Sequence, residues 1–367
     1  MFAHRAVNFY TQKLEQPRAI LAPMAGYTDA PFRKLCREYG SAWAVTEMVS
    51  AKALVVGDLQ GIEIGEPYAG EPDLVIQVFG GEPDIVAAGG RILYDTYQPQ
   101  ALDINMGCPV KKVTGKSCGS KLMQDPDRAA NIVQALAEAV PVPVSAKMRL
   151  GYDMVNVLEV ATALEEAGAS LIAIHGRTAA QKYSGEANWD TIVEVASQIS
   201  IPVVGSGDVH TKAQFDSHRA QGLGVMVARA AVGRPWIFAE LSGNATTLTQ
   251  QELAELVVRH AAMNVSWYGE IKGILPMRSH CLKYFREMPT FTEMRPDIIK
   301  LQTLEDVYNL VTKWLNVNID LPTADLDLIA SDVATDKHDI KRRLPKRARG
   351  RSKRRLGKIS RLGATPA

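Results

Sequence analysis

The chain has 367 residues, is 46% hydrophobic and 22% charged, and carries a net charge of +2. No apolar run approaches the roughly 18 residues of a membrane span, no apolar signal-peptide core opens the chain, and Cys36, Cys108, Cys118 and Cys281 follow no disulfide spacing, so the expectation is a protein of a reducing cytoplasm. The charge is unevenly placed: residues 331–367 hold 13 Lys+Arg against 3 Asp+Glu, which leaves 29 against 37, a net −8, for residues 1–330.

Short β-prone runs recur at 19–22, 43–46, 74–78, 101–104, 142–146, 170–174, 203–205 and 224–227. Segments with helical periodicity lie between most of them, at 31–39, 84–94, 126–140, 155–167, 190–199 and 211–221. Alternation of this kind predicts parallel strands joined by crossover helices, and eight such units match a closed α/β (β/α)8 TIM barrel. Past Leu241 the strand pattern stops, and long amphipathic segments follow at 249–268, 274–287 and 304–316. The expected organisation is a barrel domain over 1–241, a small all-α domain over 242–324 and a basic, disordered tail over 325–367. Such a tail suits a polyanion such as nucleic acid, or is simply solvated.

Residues at or just past the predicted strand ends are chemically rich: Pro23-Met24, Glu47, Gln77, Asn105, Lys147 with Arg149, His175 with Arg177, Ser206-Gly207-Asp208 and Ala228-Arg229. Active sites of parallel barrels are built at that rim. Singly, Gln77 reads equally as a satisfied polar group, His175 as a core histidine and Lys147 as half of an ion pair; jointly they read as a binding site. Cys108, in a loop rich in glycine and lysine, is a candidate for proton transfer or nucleophilic attack, or a small buried hydrophobe. The glycine-bearing loops at Ser206–Asp208 and Ala228-Arg229 suit a phosphate. A cation at Lys147 suits an electron-rich ring that gains negative charge on reduction, as a flavin does. No closely spaced His, Cys, Asp and Glu residues suggest a metal, and none is expected.

Five motifs, in order, carry a resemblance: Leu21-Ala22-Pro23-Met24-Ala25-Gly26-Tyr27-Thr28-Asp29 with Pro31-Phe32-Arg33; Asp103-Ile104-Asn105-Met106-Gly107-Cys108-Pro109; Lys147-Met148-Arg149-Leu150-Gly151; His175-Gly176-Arg177-Thr178; and Gly233-Arg234-Pro235-Trp236-Ile237-Phe238. Over roughly residues 17–320 the chain resembles the bacterial tRNA-dihydrouridine synthases. The resemblance implies reduction of the C5=C6 bond of uridines in the D-loop of tRNA, with FMN recharged by NADPH. It implies FMN against Pro23, Met24, Ala25, Gln77, Lys147 and His175, and its phosphate at Ser206, Gly207, Asp208, Ala228 and Arg229. Hydride would pass to C6 of the uracil, and Cys108 would protonate C5 from the opposite face.

On the same resemblance Asn105 faces the uracil edge, while Lys111, Lys112, Arg149 and Arg177 hold substrate oxygens. Arg278, His280, Lys283 and Tyr284 fall in the family's tRNA-binding helical domain, or form a solvated basic face with Tyr284 in the helical core. Three features depart from the family pattern. Ala228 stands where glycine is common, Cys118 and Lys121 stand where small residues are usual, and the basic tail lies outside the family core. The loop bearing Lys121 is expected to be mobile and to add a phosphate contact. A monomer is expected. The competing readings are another FMN barrel acting on a free pyrimidine, such as a dihydroorotate dehydrogenase, and an RNA-binding protein with an idle barrel.

Overall fold

The computed structural model describes residues 8–57, 59–244, 246–320 and 329. Apart from Ile329, the basic tail expected over 325–367 lies outside the described residues, as does the end of the helical segment beyond residue 320.

Nine strands are present among the described residues: β1 (Ile20–Leu21), β2 (Ala44–Val45), β3 (Val49–Ser50), β4 (Leu74–Phe79), β5 (Ala101–Met106), β6 (Val144–Arg149), β7 (Leu171–His175), β8 (Val203–Ser206) and β9 (Gly224–Val227). All pair in parallel, β9 returns to β1, and β2 pairs with β4, so eight strands close a barrel. The expected TIM barrel is the observed fold. β3 continues β2 after an interruption: Val45 faces Val75 and Val49 faces Val78, so Thr46, Glu47 and Met48 stand opposite only Ile76 and Gln77. That is a bulge, which bends the strand end and re-aims its side chains. Here Glu47 accepts from the Gly26 backbone N–H at 3.0 Å, tying the loop after β1 to the loop after β2.

Period-two alternation sorts each strand. In β5 Leu102, Ile104 and Met106 face outward onto the helices Pro83–Tyr97 and Pro126–Ala139, joining Val86, Leu93, Ile132 and Leu136 in a dry layer. The residues between them, Ala101, Asp103 and Asn105, face the barrel axis. The axis is apolar at its amino-terminal end, where Ile20, Trp43, Val45, Val75, Leu171 and Val204 surround Tyr10. Tyr10 comes from a short helix, Phe9–Leu14, started by an Asn8 and Thr11 capping box. Six residues are too few to show a helical period, which is why the sequence pattern passes over this plug.

After the barrel, Gln250–Tyr268, Glu270–Tyr284, Phe291–Ile298 and Leu304–Leu315 pack their apolar faces together and onto Ala30, Leu35 and Tyr68 of the barrel. Phe291–Ile298 was not anticipated because Pro296 reads as a breaker. Met294 and Ile298 bury into the cluster nonetheless, so tertiary packing overrides the local signal.

Candidate active site

Above the apolar floor, strand register sets Gln77 beside Asp103 and Asp103 beside Ser145, and, two residues further on, Asn105 beside Lys147. Buried polar groups need partners, and these are connected. Gln77 Nε2 and Ser145 Oγ each donate to the Asp103 carboxylate at 2.6 Å, and the Tyr10 hydroxyl donates to Ser145 Oγ at 2.8 Å. Burial pushes the Asp103 carboxyl up to about 6, against the pull of its two donors and of Lys147.

A cavity of about 990 Å³ opens over this layer at the carboxyl ends of the strands. It brings together Pro23, Met24, Ala25, Gln77, Asn105, Cys108, Lys111, Lys147, Arg149, His175, Ser206, Gly207, Asp208, Ala228, Arg229 and Lys283. At its inner end no acceptor among the described residues is hydrogen-bonded to the Lys147 ammonium. Burial and the neighbouring Arg149 push Lys147 down to about 8, with Asp103 opposing. Burial, then the charges of Lys147, Arg149, Arg177 and Arg229, push the His175 imidazole down to about 2, so it is neutral at pH 7.

Cys108 stands partly exposed on the wall. Its N–H donates to Asn105 Oδ1 at 3.0 Å, and its carbonyl accepts from both the backbone N–H and the hydroxyl of Ser120 at 3.0 Å. Arg149 Nε reaches the Gly107 carbonyl at 2.8 Å. Gly119 closes the loop beneath the thiol with φ of +61°, where a Cβ would lie 2.7 Å from the Cys108 oxygen, so only glycine fits. Lys121, expected to reach a phosphate, lies over the Tyr152 ring at 4.8 Å in the 3-10 turn Gly119–Gln124.

At the other end of the cavity Gly207 has φ of +131°, and a Cβ there would sit 2.5 Å from Ala187 and 3.2 Å from the His175 ring. The glycine is needed for this close packing, and it lines the cavity. The Asp208 carboxylate is taken up by Arg177, at 2.5 and 3.2 Å, by the Ala187 N–H at 3.0 Å and by Arg229 at 3.4 Å. Although burial opposes them, these partners hold its carboxyl below the usual range.

Five expected contacts fall outside the cavity wall. Arg177 is not a free substrate contact: its side chain is 3% exposed and bonded to Asp208, Ser184 and Gly185. His280 and Tyr284 are buried rather than tRNA-facing. On Glu270–Tyr284 they share the inward face with Gly273 and Met277, at the spacing of a buried helical stripe. The His280 ring packs against Tyr27 and Phe32 at 5.4 and 4.9 Å, and the Tyr284 hydroxyl meets His260 Nδ1 at 3.1 Å. Arg278 gives Nε and Nη2 to the Leu301 carbonyl, at 2.9 and 2.7 Å. Lys112 is exposed beside the mouth.

The sequence reading missed Tyr183 and Lys182, which also line the cavity. Tyr183 is 57% exposed and lies against the guanidinium of Arg229 at 4.4 Å and of Arg149 at 5.7 Å. The available signal was the unusual length of the loop between β7 and the helix Trp189–Gln198.

The family described as "Dihydrouridine synthase (Dus)" matches residues 20–318. That span includes the whole cavity wall, from Ala22 to Lys283. The chain belongs to the dihydrouridine synthase family. It is 37% identical to tRNA-dihydrouridine synthase B of Pseudomonas syringae pv. tomato, over 78% of this chain and 88% of that one. It is 40% identical to a probable tRNA-dihydrouridine synthase of Rhizobium leguminosarum, over 72% and 83% of the two chains. A third dihydrouridine synthase, the B enzyme of Shewanella oneidensis, is 37% identical over 81% of this chain and 95% of its own. The residues beyond 318, with the basic tail, lie outside the family match.

Proposed function

We propose that the chain reduces uridine to 5,6-dihydrouridine in tRNA, with FMN in the barrel cavity, NADPH as reductant and Cys108 as the acid. The observation that carries the reading is the meeting, in one cavity, of the Lys147 ammonium, which has no acceptor among the described residues, the buried His175 ring and the Cys108 thiol on a pinned loop. The residues present fit FMN. The cavity has the volume of a small-molecule site, Lys147 and Gln77 stand at its inner end, and Gly207 with Arg229 stands at its outer end. When bound, FMN supplies the hydride that C6 of the uracil receives.

Each side chain then has a physical task. Lys147 sets positive charge against a ring that gains negative charge, and His175 adds polarity without adding charge. Pro23, Met24 and Ala25 back the ring. The backbone of Ser206, Gly207, Ala228 and Arg229 takes the phosphate, with the Arg229 guanidinium beside it. Cys108 is the proton donor to C5, and Asn105 holds the Cys108 loop from within the cavity. Arg149, Lys111 and Lys283 offer cations to the backbone of the target nucleotide. A base reaches this depth only by leaving its stack, which costs a few kcal/mol, and phosphate contacts along the mouth and over residues 242–324 offset that cost.

The test is dihydrouridine formed on unmodified tRNA by the full chain with FMN and NADPH. Wild type is expected to form product, and Cys108→Ala to lose about 100-fold or more in rate while keeping its flavin. A flavin-loaded wild type that forms no dihydrouridine across several unmodified tRNAs would overturn the substrate assignment.

A further inference from the structure

Asp103 does not line the cavity, and the function proposed above leaves it without a part. It stands in a run of hydrogen bonds that has only one possible direction. At the upper end the backbone N–H groups of Gly107 and Cys108 donate to Asn105 Oδ1, at 3.3 and 3.0 Å. A backbone N–H can only donate, so Asn105 must show it oxygen, which leaves its nitrogen for Gln77. Asn105 Nδ2 donates to Gln77 Oε1 at 2.8 Å. Gln77 then has its nitrogen left to place, and Nε2 donates to Asp103 Oδ2 at 2.6 Å. From below, Ser145 Oγ fills the other carboxylate oxygen at 2.6 Å, and Tyr10 in turn donates to Ser145.

A primary amide turned end for end keeps nearly the same shape, so packing alone does not choose between its two settings. The choice falls to the ends of the run: the peptide N–H groups above and an acceptor at residue 103 below. Each amide nitrogen also carries a second hydrogen, which no acceptor among the described residues takes, and both Gln77 and Asn105 line the cavity. We infer that Asp103 is a positioning residue: by accepting from Gln77 it closes the lower end of the run that the Gly107 and Cys108 N–H groups direct from above, and so holds both amides with N–H donors turned to the cavity, which then selects a ring edge bearing carbonyl or imino acceptors. Flavin and uracil rings both have such edges, and the identity of the ligand rests on the function proposed above.

What residue 103 must supply is an acceptor facing Gln77, not a charge. Asparagine there meets the need with its oxygen toward Gln77 and its nitrogen toward Ser145, whose hydroxyl and that of Tyr10 rotate to reverse their bond. Alanine does not. FMN titrated into the full chain is expected to bind Asp103→Asn within about threefold of wild type and to bind Asp103→Ala about tenfold or more weakly, the effect of one lost hydrogen bond in a buried site. Gln77→Met, which removes the donor itself, is expected to match Asp103→Ala.

Equal weakening in Asp103→Asn and Asp103→Ala would mean that charge decides, and it would overturn the inference, as would wild-type affinity in Asp103→Ala. If Asp103→Ala does not fold, Asp103→Asn beside Gln77→Met makes the same comparison. Hydrogen exchange at the Gln77 side-chain amide gives a reading without flavin. Protection is expected in wild type and Asp103→Asn and its loss in Asp103→Ala, while equal protection in all three counts against the inference. A wild type that takes up no FMN sinks the cofactor assignment instead, and the amide exchange then decides this one.

Discussion

Arg149 and Cys108 are joined through a single peptide: the guanidinium of Arg149 reaches the carbonyl of Gly107, the residue before the thiol, at 2.8 Å. The same guanidinium also gives Nη1 to the carbonyls of Thr178 and Lys182, at 3.0 and 2.9 Å. One cation on β6 thereby fixes the loops after β5 and β7 against each other. Arg149→Met is expected to leave the flavin bound and to slow dihydrouridine formation by about 10- to 100-fold, which corresponds to roughly 1.4 to 2.7 kcal/mol of lost transition-state stabilisation. Single-turnover rates on unmodified tRNA check this, and a wild-type rate would show that the Cys108 loop holds itself.

The barrel was legible because each strand is an apolar run and each crossover an amphipathic helix, and tertiary structure kept those local preferences. The rim was legible for a related reason. Inward positions such as Gln77, Asn105 and Lys147 are polar where packing alone would favour an apolar side chain. What a residue does at the rim was harder to read. Arg149 ends its strand and Arg177 lies just past the end of the next, yet Arg177 is consumed by Asp208 and Arg149 lines the cavity. Only the fold decides that one meets a carboxylate and the other backbone carbonyls. His280 was misplaced, and Tyr284 left between tRNA and the helical core, because a helix with residues of both kinds has no visible inside until its partner is known. Here the partner is the loop and helix after β1, at Tyr27 and Phe32.

Two carboxyls, the half-buried Glu47 and the buried Asp29, join that loop to the helical segment and make its stability depend on pH. Burial, then the nearby Asp29, pushes Glu47 up to about 7, and burial pushes Asp29 up to about 6 despite hydrogen bonds from Phe32 and Tyr268. Both acids ionise less readily folded than unfolded. Their stabilising contribution is therefore complete below the ordinary carboxyl range and is lost as pH rises through about 7. Thermal stability is expected to fall between about pH 4 and 7, by an amount on the order of 1–3 kcal/mol. Glu47→Gln keeps the acceptor for Gly26 and should flatten the upper part of that slope, so an unchanged slope in this variant would count against the assignment.

The Arg177 and Asp208 pair predicts a different kind of loss. Arg177 is nearly fully buried, and its partner carboxylate lies on the loop expected to hold the phosphate. Removing one member strands the other without its counter-charge. Arg177→Met is expected to cost on the order of 2–3 kcal/mol of stability and to weaken FMN through disorder at Gly207. Arg177→Lys should recover little, since an ammonium cannot reproduce the two-pronged contact. Urea unfolding of the three proteins reads the first effect and FMN titration the second. A lysine variant as stable as wild type would reduce the pair to simple charge balance.

The basic tail is the clearest departure from the family, because 13 Lys+Arg follow residue 330 on a chain whose remainder is net negative. An acidic body repels tRNA at long range, and ten net positive charges at one end reverse that locally. If several of them neutralise phosphates, each released counterion adds to the salt dependence of binding. Deleting residues 331–367 is expected to weaken tRNA binding, to reduce the slope of log affinity against log salt by several units, and to leave flavin content and unfolding temperature unchanged. Filter binding of tRNA over a range of salt concentrations measures that slope. An identical slope in the truncated protein would place the phosphate contacts entirely on the barrel mouth and the helical segment, where Lys111, Arg149 and Lys283 then carry them.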